Sequence, residues 1–165
     1  MPTVKEVLND TKKRLKEQGI DTFSLDSSLL VSEVTGLTKI QLVTHDRDEV
    51  TEEQLDRLEN LVEERLKNKP MQYILGHCEF MGLDFKVTEN TLIPRGDTEN
   101  IVEEVIATIE NSGYNTVLDM CTGTGAIAIS VAHYTKAKVT ASDISKKALE
   151  VARENAQNLN ADVNF

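Results

Sequence analysis

The first half of the chain carries apolar residues at the three- and four-residue spacing of amphipathic helices. This spacing predicts helices over about residues 4–18, 25–35, 40–43 and 52–69. Short helices in close succession are typical of a small bundle, so we predict a helical domain over residues 1–75.

Local signals mark the ends of these helices. Thr51 and Gln54 fit a capping box, which satisfies backbone donors at a helix start. Gly36 is expected to end the second helix, because glycine readily adopts the left-handed conformation found there. Pro70 is expected to end the fourth helix, because proline lacks an N–H and clashes with the preceding turn.

After Gly76 the helical spacing gives way to short β-prone segments that alternate with helical ones. The predicted order is a hairpin over 77–87, an extended segment over 91–95, a helix capped by Asp97 or Thr98, a strand over 116–120, a helix over 126–134, a strand over 138–143, a helix capped by Ser145, and the start of a strand over 162–165. This order is typical of the beginning of a parallel, Rossmann-like sheet. We therefore predict an α/β chain with a helical domain over 1–75, a hairpin linker over 76–95, and an incomplete cofactor-binding domain over 96–165.

A glycine loop follows the first strand of the predicted parallel sheet. Gly123-Thr124-Gly125 with Ala128 matches the G-x-G-x-x-A pattern, in which glycines let a ligand approach the N–H groups of a helix start. Many nucleotide-binding proteins share this pattern, so by itself it does not identify the ligand.

Two acidic residues narrow the choice of cofactor. Asp119 ends the strand before the loop, where a carboxylate repels the pyrophosphate of a dinucleotide and attracts the cationic groups of S-adenosylmethionine. Asp143 ends the next strand and could bind the ribose hydroxyls of either cofactor. The residues favour S-adenosylmethionine over NAD, while a purely loop-ordering role for Asp119 stays open.

Cys121 begins the loop where such loops usually carry glycine. A cysteine adopts a positive φ only at a cost, so either the backbone there is ordinary or its packing is special. A catalytic thiol is disfavoured, because no histidine lies nearby in the sequence to activate it.

Composition and charge exclude several classes of protein. The formal net charge is −10 and both halves are acidic, which argues against a direct nucleic-acid substrate. No apolar run reaches eighteen residues and the N-terminus has no signal-peptide pattern, so we expect neither a membrane span nor secretion. The two cysteines are far apart and no metal-ligand spacing occurs, so we expect no metal and a cytoplasmic location.

Four segments, 73–76, 79–88, 92–99 and 117–128, resemble in content and order the HemK/PrmC family of peptide chain release factor glutamine methyltransferases. The Ile-Pro-Arg-x-Asp-Thr-Glu segment is fairly specific, whereas many class I methyltransferases share the glycine loop. The resemblance extends over essentially the whole chain.

The resemblance implies that S-adenosylmethionine donates a methyl group to the glutamine side-chain amide in the Gly-Gly-Gln motif of release factors, and that the helical domain helps to recognise the release factor. It implies two sets of site residues: Asp119, Cys121, Thr122, Gly123, Thr124, Gly125 and Asp143 at the donor, and Arg95, Asp97, Thr98 and Glu99 beside the active site as helix cap and pocket wall.

The sequence departs from the family pattern in three places. Gly96 stands where a second proline is usual, and Cys121 replaces the common glycine. The Asn-Pro-Pro-Tyr motif that holds the glutamine amide is missing, so no catalytic residue can be named. We therefore expect an N-terminal fragment that is inactive alone and that self-associates through an open sheet edge. The alternatives are a protein-binding module that uses only the helical domain and an NAD-dependent Rossmann enzyme.

Overall fold

A computed structural model describes all residues from 1 to 165. The chain divides into two compact units, residues 1–75 and residues 76–165. The first unit is helical and the second contains an antiparallel hairpin and a parallel sheet, so the predicted α/β class is confirmed. None of the helices is long and apolar enough to cross a membrane.

The helical unit contains the four predicted helices and one more. They are α1 (Val4–Glu17), α2 (Phe23–Thr35), α3 (Gln41–Thr44), α4 (Glu52–Leu66) and α5 (Met71–Leu75). Helix α2 begins two residues before the predicted start at Leu25, which is itself half exposed. The core of this unit comprises Val4, Val7, Leu15, Ile20, Leu30, Val31, Val34, Leu42, Val50, Leu58 and Val62.

The capping box of α4 is confirmed, since the Thr51 hydroxyl accepts from Gln54 N–H and the Gln54 side chain accepts from Thr51 N–H. The predicted end of α4 at Pro70 is wrong. The helix already ends at Leu66, because Asn68 adopts φ 63° and breaks the helical path. Pro70 instead opens α5, where its carbonyl accepts from the N–H groups of Tyr73 and Ile74.

A buried ion pair joins α2 to α4, which the sequence pattern had not indicated. Arg65 Nε lies 2.8 Å from Asp26 Oδ2, and the two side chains are only 14% and 4% exposed. The Thr22 hydroxyl donates to the same carboxylate oxygen at 2.7 Å. Because a buried charge is costly without a partner, each member of this pair depends on the other.

The second unit follows the predicted order of elements. Its members are β1 (His77–Phe80), β2 (Leu83–Lys86), α6 (Asp97–Ser112), β3 (Thr116–Met120), α7 (Ala126–Tyr134), β4 (Lys138–Ser142), α8 (Lys146–Asn158) and β5 (Val163–Asn164). Strands β1 and β2 form the hairpin, with Phe80 opposite Leu83. Strands β3, β4 and β5 are parallel and adjacent in that order, as in the opening of a methyltransferase sheet.

The hairpin packs within the core of the second unit. Phe80 and Phe85 are almost fully buried and make an edge-to-face contact with ring centroids 6.1 Å apart. They belong to the same apolar cluster as Ile129 of α7 and Val139 of β4. The segment predicted as a linker thus contributes core side chains to the second unit.

The predicted capping of α6 by Asp97 or Thr98 is wrong. The cap position is Gly96, and no side chain caps this helix. The first N–H groups are satisfied by the backbone, because Thr98 N–H donates to the Arg95 carbonyl and Glu99 N–H to the Gly96 carbonyl, both at 2.9 Å. Because the turn before the helix already binds these two N–H groups, no donor remains for a side-chain cap to accept from. In contrast, Ser145 caps α8 as predicted, accepting from Ala148 N–H.

Candidate functional site

The glycine loop connects the carboxyl end of β3 to the start of α7, at the edge where parallel α/β sheets bind ligands. Three of its residues have positive φ: Cys121 at 64°, Gly123 at 57° and Gly125 at 82°. The backbone at Cys121 is therefore the glycine-like one, although a cysteine occupies it. Gly125, the last of the three, is the cap position of α7.

The two glycines of the loop have different surroundings. A Cβ atom on Gly125 would lie 2.7 Å from Ile129 Cδ1 and 3.2 Å from Ala152 Cβ, so α7 and α8 pack closely against this position. A Cβ atom on Gly123 would meet nothing within 4 Å. Gly125 is needed for packing, whereas the open side of Gly123 lets a ligand approach the backbone.

Asp119 binds the loop that follows it. Its Oδ2 accepts from the Thr122 hydroxyl at 2.6 Å. Burial raises the pKa of the Asp119 carboxyl above its ordinary value, the charge of Asp143 adds to the rise, and the Thr122 hydroxyl and Ala128 N–H oppose it. The loop-ordering contact left open by the sequence is present, and it coexists with a partly desolvated negative charge beside the loop.

Asp143 binds the loop from the neighbouring strand. One carboxylate oxygen accepts from Gly123 N–H and the other from Ser145 N–H, both at 2.9 Å. Each oxygen of a carboxylate can accept about two hydrogen bonds, so the Asp143 carboxylate can still accept from the hydroxyl groups of a ligand. Asp143 thus fixes the loop as well as offering acceptors at the end of β4.

A cavity of about 390 Å³ opens beside the loop. Its lining combines two sequence segments and the end of the hairpin: Phe80, Leu92, Ile93, Pro94, Arg95, Thr98, Cys121, Thr122, Gly123, Thr124, Ala126 and Ile127. The volume is in the range of small-molecule sites in proteins. Ala126 and Ile127, in the first turn of α7, are part of this lining, and N–H groups of a first helical turn have no intrahelical acceptor.

The residues of the Ile-Pro-Arg segment occupy different environments. Arg95 and Thr98 line the cavity, whereas Asp97 is exposed and is not part of its wall. Glu99 is engaged elsewhere, since its carboxylate accepts from Met81 N–H in the hairpin turn at 2.7 Å. The structure thus brings two of these four residues to the loop and uses a third to fasten the hairpin.

Asn155 of α8 contacts the loop and was missed by the sequence reasoning. It is 1% exposed, and its side-chain amide donates to the Thr124 carbonyl at 2.9 Å. A signal for it existed, because Asn155 continues the buried stripe of Ala148, Val151 and Ala152 at helical spacing. A polar residue on such a stripe is expected to have a buried partner.

Comparison with known proteins agrees with this architecture. A family described as PrmC N-terminal domain matches residues 6–76, and a family described as Methyltransferase domain matches residues 117–165. The first match covers the helical unit and the second covers the glycine loop, β4, α8 and β5.

Three curated relatives share the name "Release factor glutamine methyltransferase". The protein of Clostridium acetobutylicum is 42% identical over 158 residues, which are 95% of this chain and 55% of that protein. The one of Moorella thermoacetica is 40% identical over 95% of this chain and 56% of its own length. The one of Neisseria gonorrhoeae is 43% identical over 86% of this chain and 51% of its own length.

The chain spans about half the length of the curated relatives it matches. Within that half, the order of the helical unit, hairpin, glycine loop and parallel strands is the order that the resemblance implied. The chain is similar to the HemK/PrmC family over most of its length, and its helical unit belongs to the PrmC N-terminal domain family.

Proposed function

We propose that the chain carries the donor site of a methyltransferase that modifies the side-chain amide of the glutamine in the Gly-Gly-Gln motif of release factors. The single observation behind this proposal is the cavity that joins the glycine loop to the Ile-Pro-Arg segment, in a chain similar to the HemK/PrmC family. The donor would be S-adenosylmethionine.

The residues of the loop suit this donor. Gly123 leaves the backbone open to a ligand, and the partly desolvated carboxylate of Asp119 suits a cationic ligand better than a pyrophosphate. Asp143 has acceptor capacity for ribose hydroxyls. Asp119, Asp143 and the loop from Cys121 to Gly125 would hold the donor.

S-adenosylmethionine, when bound, supplies an electrophilic methyl group on a sulfonium. The chain's own residues bind and orient it, a positional task that accounts for much of such a barrier. The apolar lining by Phe80, Ile93 and Pro94 would limit access of water, while Arg95 and Thr98 supply the polar part of the wall.

The helical unit would recognise the release factor. Residues 6–76 match the PrmC N-terminal domain, and the acidic balance of the chain suits a partner with basic groups. The alternative of a binding module rests on this same unit. Binding of a release factor that persists when the donor site is disabled would fit both. Binding of S-adenosylmethionine by the chain distinguishes them, because a module that uses only the helical unit has no donor site.

The 165-residue chain alone would lack turnover. An amide nitrogen is a poor nucleophile, and acceptors must orient its N–H groups toward the methyl. The sequence has prolines only at 2, 70 and 94, so it contains no Asn-Pro-Pro-Tyr segment for that purpose. Methyl transfer by this chain to a release factor would contradict the proposed inactivity and leave the donor site standing.

Titration calorimetry with S-adenosylmethionine tests the donor site directly. We expect the unmodified chain to bind the donor, and Asp119→Asn to weaken binding about tenfold or more, since a charge-assisted contact is lost. Asp162→Asn is the matched control, because Asp162 is exposed and precedes β5 at the other end of the sheet. NAD binding that Asp119→Asn improves would instead support a dinucleotide enzyme.

Strand β3 offers a surface for the proposed self-association. It is an edge strand of the parallel sheet, and Leu118 and Met120 on one of its faces are 62% and 70% exposed. Exposed edges with apolar side chains are prone to pair with other chains. Light scattering at rising concentration tests this, and a monomer throughout would reject it.

A further inference from the structure

Asn155 connects three parts of the second unit through one side chain. Its Oδ1 accepts from the backbone N–H of Lys86 at 2.8 Å, and its Nδ2 donates to the carbonyls of Lys86 at 3.0 Å and Thr124 at 2.9 Å. Lys86 ends strand β2 of the hairpin and Thr124 lies in the glycine loop. The contacts bridge 69 and 31 residues of sequence, respectively.

The pairing with Lys86 imitates a β-ladder. An asparagine amide presents one donor and one acceptor side by side, as a peptide group does, so it closes the outer edge of β2 at both backbone groups of one residue. The second hydrogen of the amide nitrogen then remains for Thr124. Only one orientation of the amide satisfies two carbonyls and one N–H, so the three contacts fix the side chain completely.

The contact to Thr124 holds the carbonyl end of a peptide group inside the loop. Thr124 is 3% exposed, so its carbonyl depends on Asn155 rather than on water. The N–H of the same peptide belongs to Gly125 and donates to the Thr122 carbonyl at 2.8 Å, so Asn155 holds one end of this peptide and Thr122 the other. Gly125 has a φ of 82°, and a glycine allows its peptide to rotate unless both ends are held. Ala152, one turn earlier on α8, already lies against Gly125.

We propose that Asn155 is a positioning residue of the donor site, which holds the Thr124 carbonyl, and thereby the glycine loop, in register with the end of strand β2. This inference rests on the proposed donor binding at the glycine loop. It adds a coupling: a ligand that orders the loop also orders the end of the hairpin, because both are bound to the same amide.

Asn155→Asp tests the positioning role with almost no change of shape. The carboxylate still accepts from Lys86 N–H, but it faces the carbonyls of Lys86 and Thr124 without a hydrogen to donate. We expect the dissociation constant for S-adenosylmethionine, measured by calorimetry where the variant is folded, to rise at least about tenfold. Asn158→Asp is the matched control, with the same substitution at an exposed position of the same helix, and its affinity should stay within about twofold of the unmodified chain.

Hydrogen exchange on the unmodified chain gives a second measurement, which stands even if Asn155→Asp does not fold. Saturating donor should slow exchange of the Lys86 N–H, which is bound to Asn155, more than that of the neighbouring Val87 N–H, which is bound to the Gly76 carbonyl at 2.9 Å. Equal changes at the two amides would overturn the coupling.

The outcomes separate the two proposals. If the unmodified chain binds no donor, the proposed function fails and this inference fails with it. If the unmodified chain binds donor and a folded Asn155→Asp binds it equally well, the donor site stands and the positioning role is wrong. A purely structural role would lower the thermal midpoint of Asn155→Asp and leave its affinity unchanged.

Discussion

The interface between α2 and α4 in the helical unit and the glycine loop in the second unit use their polar side chains for different purposes. In the helical unit, charged side chains bind one another across helices, as in Asp26 with Arg65 and Glu33 with Arg57. In the second unit, the polar side chains around the glycine loop bind backbone groups, as Asp143 does with Gly123 N–H and Asn155 with the Thr124 carbonyl.

This difference has energetic consequences. A side-chain pair between helices stabilises the packing of one helix against another, so its removal changes the free energy of unfolding. A side chain that binds a loop backbone fixes the direction of peptide groups, so its removal changes the geometry available to a ligand. We expect variants of the first kind to affect stability and variants of the second kind to affect binding as well.

The largest effect is expected from Asp26→Ala in the helical unit. It leaves the Arg65 guanidinium, which is 14% exposed, without its buried partner. Removal of one member of a buried ion pair costs about 3–5 kcal/mol. Urea denaturation followed by circular dichroism measures the loss, and donor affinity should be unchanged in the folded fraction.

Glu33→Gln is the control for this variant, because Glu33 and Arg57 also join α2 to α4 but are 31% and 56% exposed. An exposed pair contributes less than about 1 kcal/mol. Equal losses of unfolding free energy in the two variants would show that burial does not make the Asp26 contact more stabilising than the exposed one.

Gly125→Ala is expected to have the next largest effect, and to alter both stability and binding. The added methyl would overlap Ile129 Cδ1 at 2.7 Å, and φ at this position is +82°. Overpacking together with a left-handed backbone costs about 1–3 kcal/mol. Gly113→Ala shares a positive φ of 71° but has nothing within 4 Å, so it should cost only the backbone part and leave donor affinity intact.

Substitutions of Cys121 test the strain within the loop. Its φ of 64° disfavours a β-branched side chain, so Cys121→Val should lower the free energy of unfolding by about 1 kcal/mol or more. Cys121→Gly removes the strain but adds unfolded-state entropy, so its net effect should lie within about 1 kcal/mol of zero. Thermal unfolding of both variants checks whether Cys121→Val is less stable than Cys121→Gly. Equal thermal midpoints would contradict the strained backbone at Cys121.

The smallest effect on stability is expected from Asp119→Asn, and this substitution should stabilise the chain at neutral pH, whereas the preceding ones destabilise it. Because burial raises the pKa of the Asp119 carboxyl, the folded state binds more protons than the unfolded state just above the ordinary aspartate range. This group's contribution to stability therefore falls as pH rises through that window. Asp119→Asn should match the unmodified chain at acidic pH and have a higher thermal midpoint at neutral pH.

A thermal midpoint for Asp119→Asn that is lower than that of the unmodified chain at neutral pH would contradict this sign. It would mean that the charge on Asp119 stabilises the loop through Thr122 more than burial opposes it. The two expected results together are that the Asp119 charge lowers the stability of the chain at neutral pH and raises its affinity for the donor.

Elements set by neighbouring residues could be predicted from the sequence. The capping box of Thr51 and Gln54 involves side chains three positions apart, and Ser145 caps α8 over the same distance. The alternation of strand and helix after Gly76 was likewise local, and it was sufficient to identify the parallel sheet.

Contacts between distant residues could not be predicted in this way. Asp26 and Arg65 are 39 residues apart, and Asn155 and Lys86 are 69 apart, so no local pattern pairs them. The cap of α6 failed for a related reason: Asp97 and Thr98 are good capping residues, but the backbone turn at Arg95 and Gly96 had already satisfied the helix donors.

The candidate site was only partly predictable, because some of its residues are neighbours in the sequence and others are not. The loop residues from Cys121 to Gly125 are consecutive, so the sequence identifies them as a unit. Their supports come from β4, α8 and the hairpin, and only the folded chain brings those together. Whether Arg95 and Thr98 serve a substrate is still a prediction, although both line the cavity.

The hairpin turn also affects how the chain can be labelled. A tight turn between two strands is ordinarily a good place to insert an affinity tag or a fluorophore-binding sequence. Here Met81 is bound on both sides, with its N–H donating to Glu99 and its carbonyl accepting from the Tyr134 hydroxyl at 2.7 Å. An insertion at this turn would detach it from α6 and α7, so reporter sequences belong between Gly113 and Tyr114, which are exposed and lie between α6 and β3.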